Sequence, residues 1–256
     1  MTRRIVWCVF LFWLAACRPV PTATPPTLTG FSTATITFLP SRTAPATLTP
    51  APLFTTTVTP LPTLTQTTTP TEPIAVRFAV IGDYGLAGQA EADVAALIDS
   101  WQVDFVITVG DNNYPSGSAE TIDENIGQYY HPYIAAYTGA YGEGAETNRF
   151  FPTLGNHDWM AQGAAPYLAY FSLPGNERYY RFAWGPVELF ALDSDEHEPD
   201  GFRRDALQAA WLREGLAGSQ APWKIVYFHH APYSSAYHGP TVWMQWPFQE
   251  WGASAV

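Results

Sequence analysis

Cysteine is almost missing from this chain of 256 residues, and its two copies, Cys8 and Cys17, both lie near the N-terminus. The remainder can form no disulfide and no thiolate metal site, so neither staples its fold. Positive charge is scarce as well. Lys224 is the single lysine, and from residue 74 onward 22 acidic residues stand against 8 basic ones, a formal −14. That balance argues against nucleic acid as the main partner. An anionic substrate needs local positive charge, and metal ions could supply it. The apolar run from Ile5 to Ala16 is too short to span a bilayer comfortably.

What is present divides the chain unequally. Residues 1–17 begin with Thr2-Arg3-Arg4, continue through the apolar run and end in Leu14-Ala15-Ala16-Cys17. A basic start, a short apolar core and small residues before a break make an export signal. The last four residues resemble a bacterial lipobox, which implies cleavage before Cys17 and lipidation of that cysteine. The expectation is an exported chain at the cell envelope or cell surface, membrane-attached through a lipid anchor at Cys17. Residues 18–73 are rich in Thr and Pro, as in Thr67-Thr68-Thr69-Pro70-Thr71, and are expected to form a disordered, extended stalk. Residues 74–256 carry the periodicity of a packed domain, with aromatic residues at 15% of the whole chain to fill a core.

Within that domain, strands alternate with helices around one hairpin. Val76–Ile81 reads as a strand, and Val94, Leu97, Ile98 and Trp101 fall on one helical face behind it. Phe105–Val109 reads as a second strand, so the unit predicts a parallel pair. A helix is expected within 119–137, with Ser118 as its N-cap and an interruption at His131-Pro132, His131 being read as a surface or packing residue. Phe150–Leu154 is a short buried stretch. Arg178–Trp184 and Val187–Asp193 flank Gly185-Pro186 as a hairpin. Leu207, Trp211, Leu212 and Leu216 mark an amphipathic helix before a strand at Trp223–Phe228. The run Asp193-Ser194-Asp195-Glu196-His197-Glu198 reads as a solvated acidic loop. The fold class is α/β, with a mixed sheet or two packed sheets flanked by helices.

The chemistry lies where strands stop. Gly82-Asp83-Tyr84-Gly85, Gly110-Asp111-Asn112-Asn113-Tyr114, Gly155-Asn156-His157-Asp158 and His229-His230 each follow a buried run. Ligands of open α/β sheets gather at such C-terminal strand edges. Asp83, Asp111, Tyr114, Asn156 and His229 together offer carboxylate, phenol, amide and imidazole donors, a set suited to iron, zinc or manganese in a hydrolytic site. Asp111 is the best candidate to bridge two cations.

These segments resemble the calcineurin-like metallophosphoesterases, and within them the purple acid phosphatases, across residues 74–256. The family pattern is DxG, GDxxY, GNH(D/E), VxxH and GHxH, and the first four occur here, the fourth as Val226-Tyr227-Phe228-His229. Gly85 replaces the His of the commoner DxH form, and Tyr114 is the phenol that accompanies that exchange. The resemblance implies a sandwich of two mixed β-sheets flanked by α-helices. It also implies two metal ions, Fe(III) with a divalent Fe, Zn or Mn. Asp83 and Tyr114 would hold the Fe(III), Asp111 would bridge, and Asn156 and His229 would hold the divalent ion, with His230 the rival to His229. His157 and His238 fall where the family places groups that bind phosphate oxygens or protonate the leaving group. The implied reaction is in-line attack of a metal-held hydroxide on a small phosphate ester, a monoester in the first instance. A phosphodiesterase is the alternative within the enzyme class. The fifth motif, GHxH, is not found, so the expectation is a C-terminally truncated domain without its last strands, or a noncatalytic module that binds phosphate or a partner.

Overall fold

The computed structural model describes residues 75–256, and the expected signal segment 1–17 and stalk 18–73 lie outside the described residues. The first sheet orders β1 (Phe78–Ile81), β2 (Phe105–Thr108) and β3 (Phe150–Pro152), all parallel, with Phe78 beside Phe105 and Val106 beside Phe150. Helix α1 (Gln89–Ser100) connects the first two strands, as a parallel pair requires. The second sheet orders β4 (Tyr180–Trp184), β5 (Val187–Ala191) and β6 (Trp223–Tyr227). Its first pair is the expected antiparallel hairpin, turning at Gly185 with φ 54°, and its second pair is parallel, so this sheet is mixed.

Alternation along each strand sorts the core into layers. From β2, Phe105 and Ile107 meet Tyr180, Leu189, Ala191 and Tyr227 of the second sheet. Val106, pointing the other way, joins Ala95 and Ile98 of α1, and Phe150 does the same from β3. On the far side of the second sheet, Phe190 and Val226 pack on Leu212 and Leu216 of helix α5 (Leu207–Gly218), and on Met244, Trp246 and Phe248. The result is two sheets face to face with helices outside both. Between the sheets, Phe151 stacks on Phe182 with centroids 3.7 Å apart. Fully burying a side chain such as Phe105 stabilises the fold by about 1.5–3 kcal/mol.

Short helical pieces complete the element order: α2 (Gln128–Tyr130), α3 (Asn156–Met160), α4 (Ala165–Tyr170) and α5 (Leu207–Gly218). Among the described residues no helix is long and apolar enough to cross a membrane. Three sequence expectations need correction. Helix α1 buries Glu91, Ala95 and Ile98, while Val94, Leu97 and Trp101 are exposed. The core side is therefore the 91/95/98 stripe, where the Tyr130 hydroxyl donates to Glu91 Oε1 at 2.6 Å. The expected helix within 119–137 is broken into a π-turn at Asp123–Gly127, α2 and a 3-10 turn at His131–Tyr133, and Ser118 does not cap it. Asp123 sets that irregular course by accepting from the Tyr137 and Tyr170 hydroxyls and the Ala140 amide. His131 packs against Tyr137 with its Nδ1 2.9 Å from the Gly127 carbonyl.

The acidic run 193–198 is the third correction. Asp193, Ser194, Asp195 and Glu198 are buried, each with partners. Gln208 brackets Asp193 through both its amide and its carbonyl, Trp159 Nε1 donates to Asp193 Oδ2 at 3.0 Å, and Arg178 pairs with Glu198 at 3.0 Å. Burial pushes the Asp193 carboxyl well above the usual carboxylate range, with the charges of Glu198 and Asp195 adding to it.

Burial also pushes the Glu91 carboxyl up to about 7, against a smaller opposing effect of the Tyr130 hydrogen bond. A carboxyl raised in the folded state favours folding while protonated, and that contribution fades as pH climbs from the unfolded value, about 4.5, through about 7. Glu91→Gln keeps an acceptor for Tyr130 without the charge. It should be more stable than the parent chain at pH 8 by about 2 kcal/mol and should flatten the stability profile between pH 5 and 8, as measured by denaturant unfolding.

Candidate metal centre

The parallel ladder of the first sheet continues past its strands and carries two acids to one edge. Val109 donates to the Ile81 carbonyl at 2.7 Å, and Asp83 donates to the Gly110 carbonyl at 3.1 Å. Both acids then leave the sheet in the left-handed region, Asp83 with φ 51° and Asp111 with φ 52°. This conformation costs roughly 1–2 kcal/mol for an ordinary residue and less for Asp. Its effect is to turn each carboxylate back across the strand ends.

Five of the residues named from sequence form one continuous contact chain. Tyr114 Oη lies 3.1 Å from Asp83 Oδ1 and 3.0 Å from Asp111 Oδ2. On the other side, His229 Nε2 lies 3.5 Å from Asp111 Oδ1 and 3.1 Å from Asn156 Oδ1. Asp111 thus stands between two pairs, one at each carboxylate oxygen. Ligand atoms of Asp83, Asp111 and His229 all fall within 4.8 Å of one another. Asp111 is buried, His229 and Tyr114 are half-buried, and Asp83 is exposed at the mouth.

The donor set fits a cation. Three hard oxygens converge at Asp83, Asp111 and Tyr114, and among the described residues no lysine or arginine pairs with either acid. A phenol has one proton and cannot donate to both carboxylates at once. Burial, then Asp111 and Asp83, drives the Tyr114 phenol far above its ordinary value. His229 Nδ1 sits 2.8 Å from the Val109 carbonyl, which only accepts, so the ring proton is there and the Nε2 lone pair faces Asp111 and Asn156. A cation would satisfy that lone pair and the amide oxygen together.

Glycines make the approach possible. Gly110, with φ +87°, lies under the His229 side chain, and a Cβ there would come within 2.6 Å of the His229 Cβ and 2.7 Å of the ring. A Cβ at Gly155 would strike the Asp111 amide and carboxylate, and one at Gly85 would strike the Asn112 carbonyl. Gly85 is therefore fixed by a backbone crossing and is more than an absent histidine.

His157 joins the same cluster. Its amide donates to Asp111 Oδ1 at 2.9 Å, its ring lies 4.6 Å from that of Tyr114, and Nδ1 donates to the Pro115 carbonyl at 2.6 Å. Nε2 is then left 3.9 Å from Asp111 Oδ2. His238 is exposed, and among the described residues no hydrogen bond or ion pair links it to the other six. His230 turns away from the donors. Ser194 Oγ bonds its Nδ1 at 2.8 Å, Trp243 lies 6.1 Å away, and burial lowers its pKa.

Sequence reasoning missed the scaffold beneath the ligands. Asp158 accepts from the Gly155 amide at 2.9 Å and from the Asn112 amide and side chain at 3.1 and 2.9 Å. Asn112 also reaches the Tyr84 hydroxyl, the Thr108 hydroxyl and the Thr153 carbonyl. Burial pushes the Asp158 carboxyl up to about 6. Asn125 ties Tyr114 O, Asn113 and Ala87 together. Asn112 and Asp158 stood inside the recognised motifs, which was their only signal, and Asn125 had none.

The family model of the calcineurin-like phosphoesterases matches residues 76–256, and the chain belongs to that family. Among curated relatives it is similar to purple acid phosphatase 17 of Arabidopsis thaliana, 28% identical over 193 residues. That match covers 65% of this chain and 55% of the relative. It is also similar to tartrate-resistant acid phosphatase type 5 of Sus scrofa, 26% identical over 200 residues, with 65% and 56% covered. Among solved structures, a purple acid phosphatase from yellow lupin (Lupinus luteus) seeds matches with a TM-score of 0.49 at 19% identity, covering 64% of this chain and 32% of that one. The chain spans a little over half the length of the curated relatives named here.

Replacing Gly85 by His, the commoner residue of the wider motif, should not add a ligand. The Cβ collision with Asn112 predicts instead a loss of about 2–4 kcal/mol in unfolding free energy, read by thermal or denaturant unfolding, with no gain in metal uptake.

Proposed function

We propose that this chain is the domain of an exported, metal-dependent phosphatase that hydrolyses phosphate monoesters at a dinuclear centre of Fe(III) and a divalent Fe, Zn or Mn. The observation that carries the reading is the Asp111 carboxylate, with Asp83 and Tyr114 at one oxygen and His229 and Asn156 at the other. In this reading Asp83 and Tyr114 hold the Fe(III), Asn156 and His229 hold the divalent ion, and Asp111 reaches both. The bound pair would supply Lewis acidity, activating water and offsetting charge on the phosphate oxygens. A phenolate is a hard anionic donor, which favours Fe(III) at the Tyr114 side.

The remaining chemistry belongs to the protein's own side chains. The Pro115 carbonyl holds the Nδ1 proton of His157, so Nε2 is the atom that can carry a proton to or from a departing alkoxide. Contact with Tyr114 and the Asp111 backbone bond keep that ring beside the donors, which supports His157 in this role. No comparable contact supports His238. The Val109 carbonyl orients His229, and the Asp158 network fixes the loop from Gly110 relative to the start of α3, so the donors are positioned before any ligand arrives.

Asp111→Ala should abolish metal binding and turnover, measured by metal analysis and hydrolysis of 4-nitrophenyl phosphate. Tyr114→Phe should remove the visible tyrosinate-to-iron absorption of the iron-loaded protein, and a band that persists unchanged would overturn the assignment of Tyr114.

Export and anchoring form part of the same proposal and rest on residues 1–17. Cys17→Ala expressed in a bacterium should shift the protein out of the detergent-soluble membrane fraction, as followed by immunoblotting.

A further inference from the structure

Most cations among residues 75–256 already have partners. Arg178 pairs with Glu198 and Asp200, Arg181 pairs with Glu188, and Arg77, Arg149 and Lys224 donate to backbone carbonyls. Arg203, Arg204 and Arg213 have no such partner among the described residues, and of these Arg203 and Arg204 are adjacent. Both are exposed, and among the described residues neither forms an ion pair within 4.0 Å, although Asp205 follows directly. They line a cleft of about 530 Å³ whose other walls include Trp243, Gln245 and Trp246. Ligand clefts commonly measure about 300–1,000 Å³.

The aromatic wall is held in place. Trp243 Nε1 donates to the Ser194 carbonyl at 3.2 Å, and Trp246 Nε1 donates to the Trp243 carbonyl at 2.8 Å. Trp246 is buried, whereas Trp243 keeps 39% of its surface exposed, so a fixed indole is presented to solvent. A continuous run of rings then joins the cleft to the candidate metal centre. The Arg203 guanidinium lies 5.0 Å from the Phe202 centroid, Phe202 meets Trp243 edge-on at 6.0 Å, Trp243 lies 6.1 Å from His230, and His230 lies 4.9 Å from His229.

We propose that this cleft binds the leaving-group side of the substrate and selects planar aromatic groups that carry a second negative charge, such as an aryl carboxylate. The role as a substrate subsite rests on the phosphatase reading above, but binding in the cleft does not. A partly exposed indole offers a stacking surface for a planar ring. A guanidinium matches a carboxylate with two parallel hydrogen bonds, and two adjacent ones outweigh the single charge of Asp205. In a domain so acidic, Arg203 and Arg204 are adjacent positive charges with no ion-pair partner among the described residues. The phosphate would then be taken at the Asp111 cluster while the far end of the same molecule is read at the arginines.

Calorimetric titration of chelator-treated protein with 6-hydroxy-2-naphthoate tests the cleft apart from the metals. Saturable binding that weakens at least about tenfold in the R203A/R204A double variant, and stays unchanged in R213A, is the expected result. All three arginines are exposed, so folding should be retained, and circular dichroism checks this. Absence of saturable binding, or equal affinity in R203A/R204A, overturns the proposal. With metal-loaded protein, the ratio of kcat/KM for the phosphate ester of that naphthoate to kcat/KM for phenyl phosphate should fall in R203A/R204A. An unchanged ratio overturns the substrate role. If the parent chain hydrolyses neither ester, the phosphatase reading fails, and calorimetry alone decides whether the cleft takes the planar anion.

Discussion

A carboxylate buried without a basic partner is the constraint on which the rest depends. Asp111 is 3% exposed, and among the described residues it faces a phenol, two imidazoles and one backbone amide but no lysine or arginine. Burying a charge in this way costs several kcal/mol unless something compensates it. Two hydrogen bonds, from the His157 amide and the Tyr114 hydroxyl, offset part of that cost. The remainder is unmet by the polypeptide, and it falls where two pairs of metal donors meet. The glycines follow from the same constraint, since Gly110 and Gly155 let the His229 ring and the start of α3 close on the acid. So does the two-sheet architecture, because four donors come from the first sheet's edge and its loops while His229 arrives from the second.

Much of this was readable from the residues. Strand ends were legible because an apolar run followed by Gly-Asp or Gly-Asn is a local signal, and the parallel ladder places such ends side by side without further instruction. The two-layer core was legible for the same reason, as Phe105, Val106 and Ile107 alternate between faces. The face of α1 was not. Hydropathy favoured Val94, Leu97, Ile98 and Trp101; Ile98 is buried, but the other three are exposed, and Glu91 lies inward with a hydrogen bond from Tyr130, 39 residues away. The run at 193–198 failed similarly. Like charges in sequence suggest water, and only partners from elsewhere in the chain, Gln208 of α5, Trp159 of α3 and Arg178 before β4, make the acids interior.

That misread segment proves to be structural support for the candidate centre. Asp193 holds Trp159, which lies on α3 three residues after Asn156, and Ser194 holds His230, the neighbour of His229. Two donors on one side of Asp111 therefore share a buttress built from the loop that follows β5. His230 is a rival ligand in sequence terms, yet its hydrogen bond to Ser194 and its packing on Trp243 give it another task, to fix the backbone that presents His229.

Charge distribution sets how an anionic substrate could be captured. The formal −14 from residue 74 onward repels a phosphate ester at long range, but at physiological ionic strength such fields fade within about 8 Å. Capture must then depend on short-range positive charge. In the phosphatase reading, with Arg178 and Arg181 paired to acids, that charge would come from metal ions at the Asp111 cluster and from cations without an acidic partner among the described residues, Arg203 and Arg204 among them. An acidic surface around a few concentrated cationic points disfavours bulk polyanions, which engage many phosphates at once, and tolerates small esters that need only one or two. In the phosphatase reading, the scarcity of basic residues thus favours a small substrate over a polymeric one.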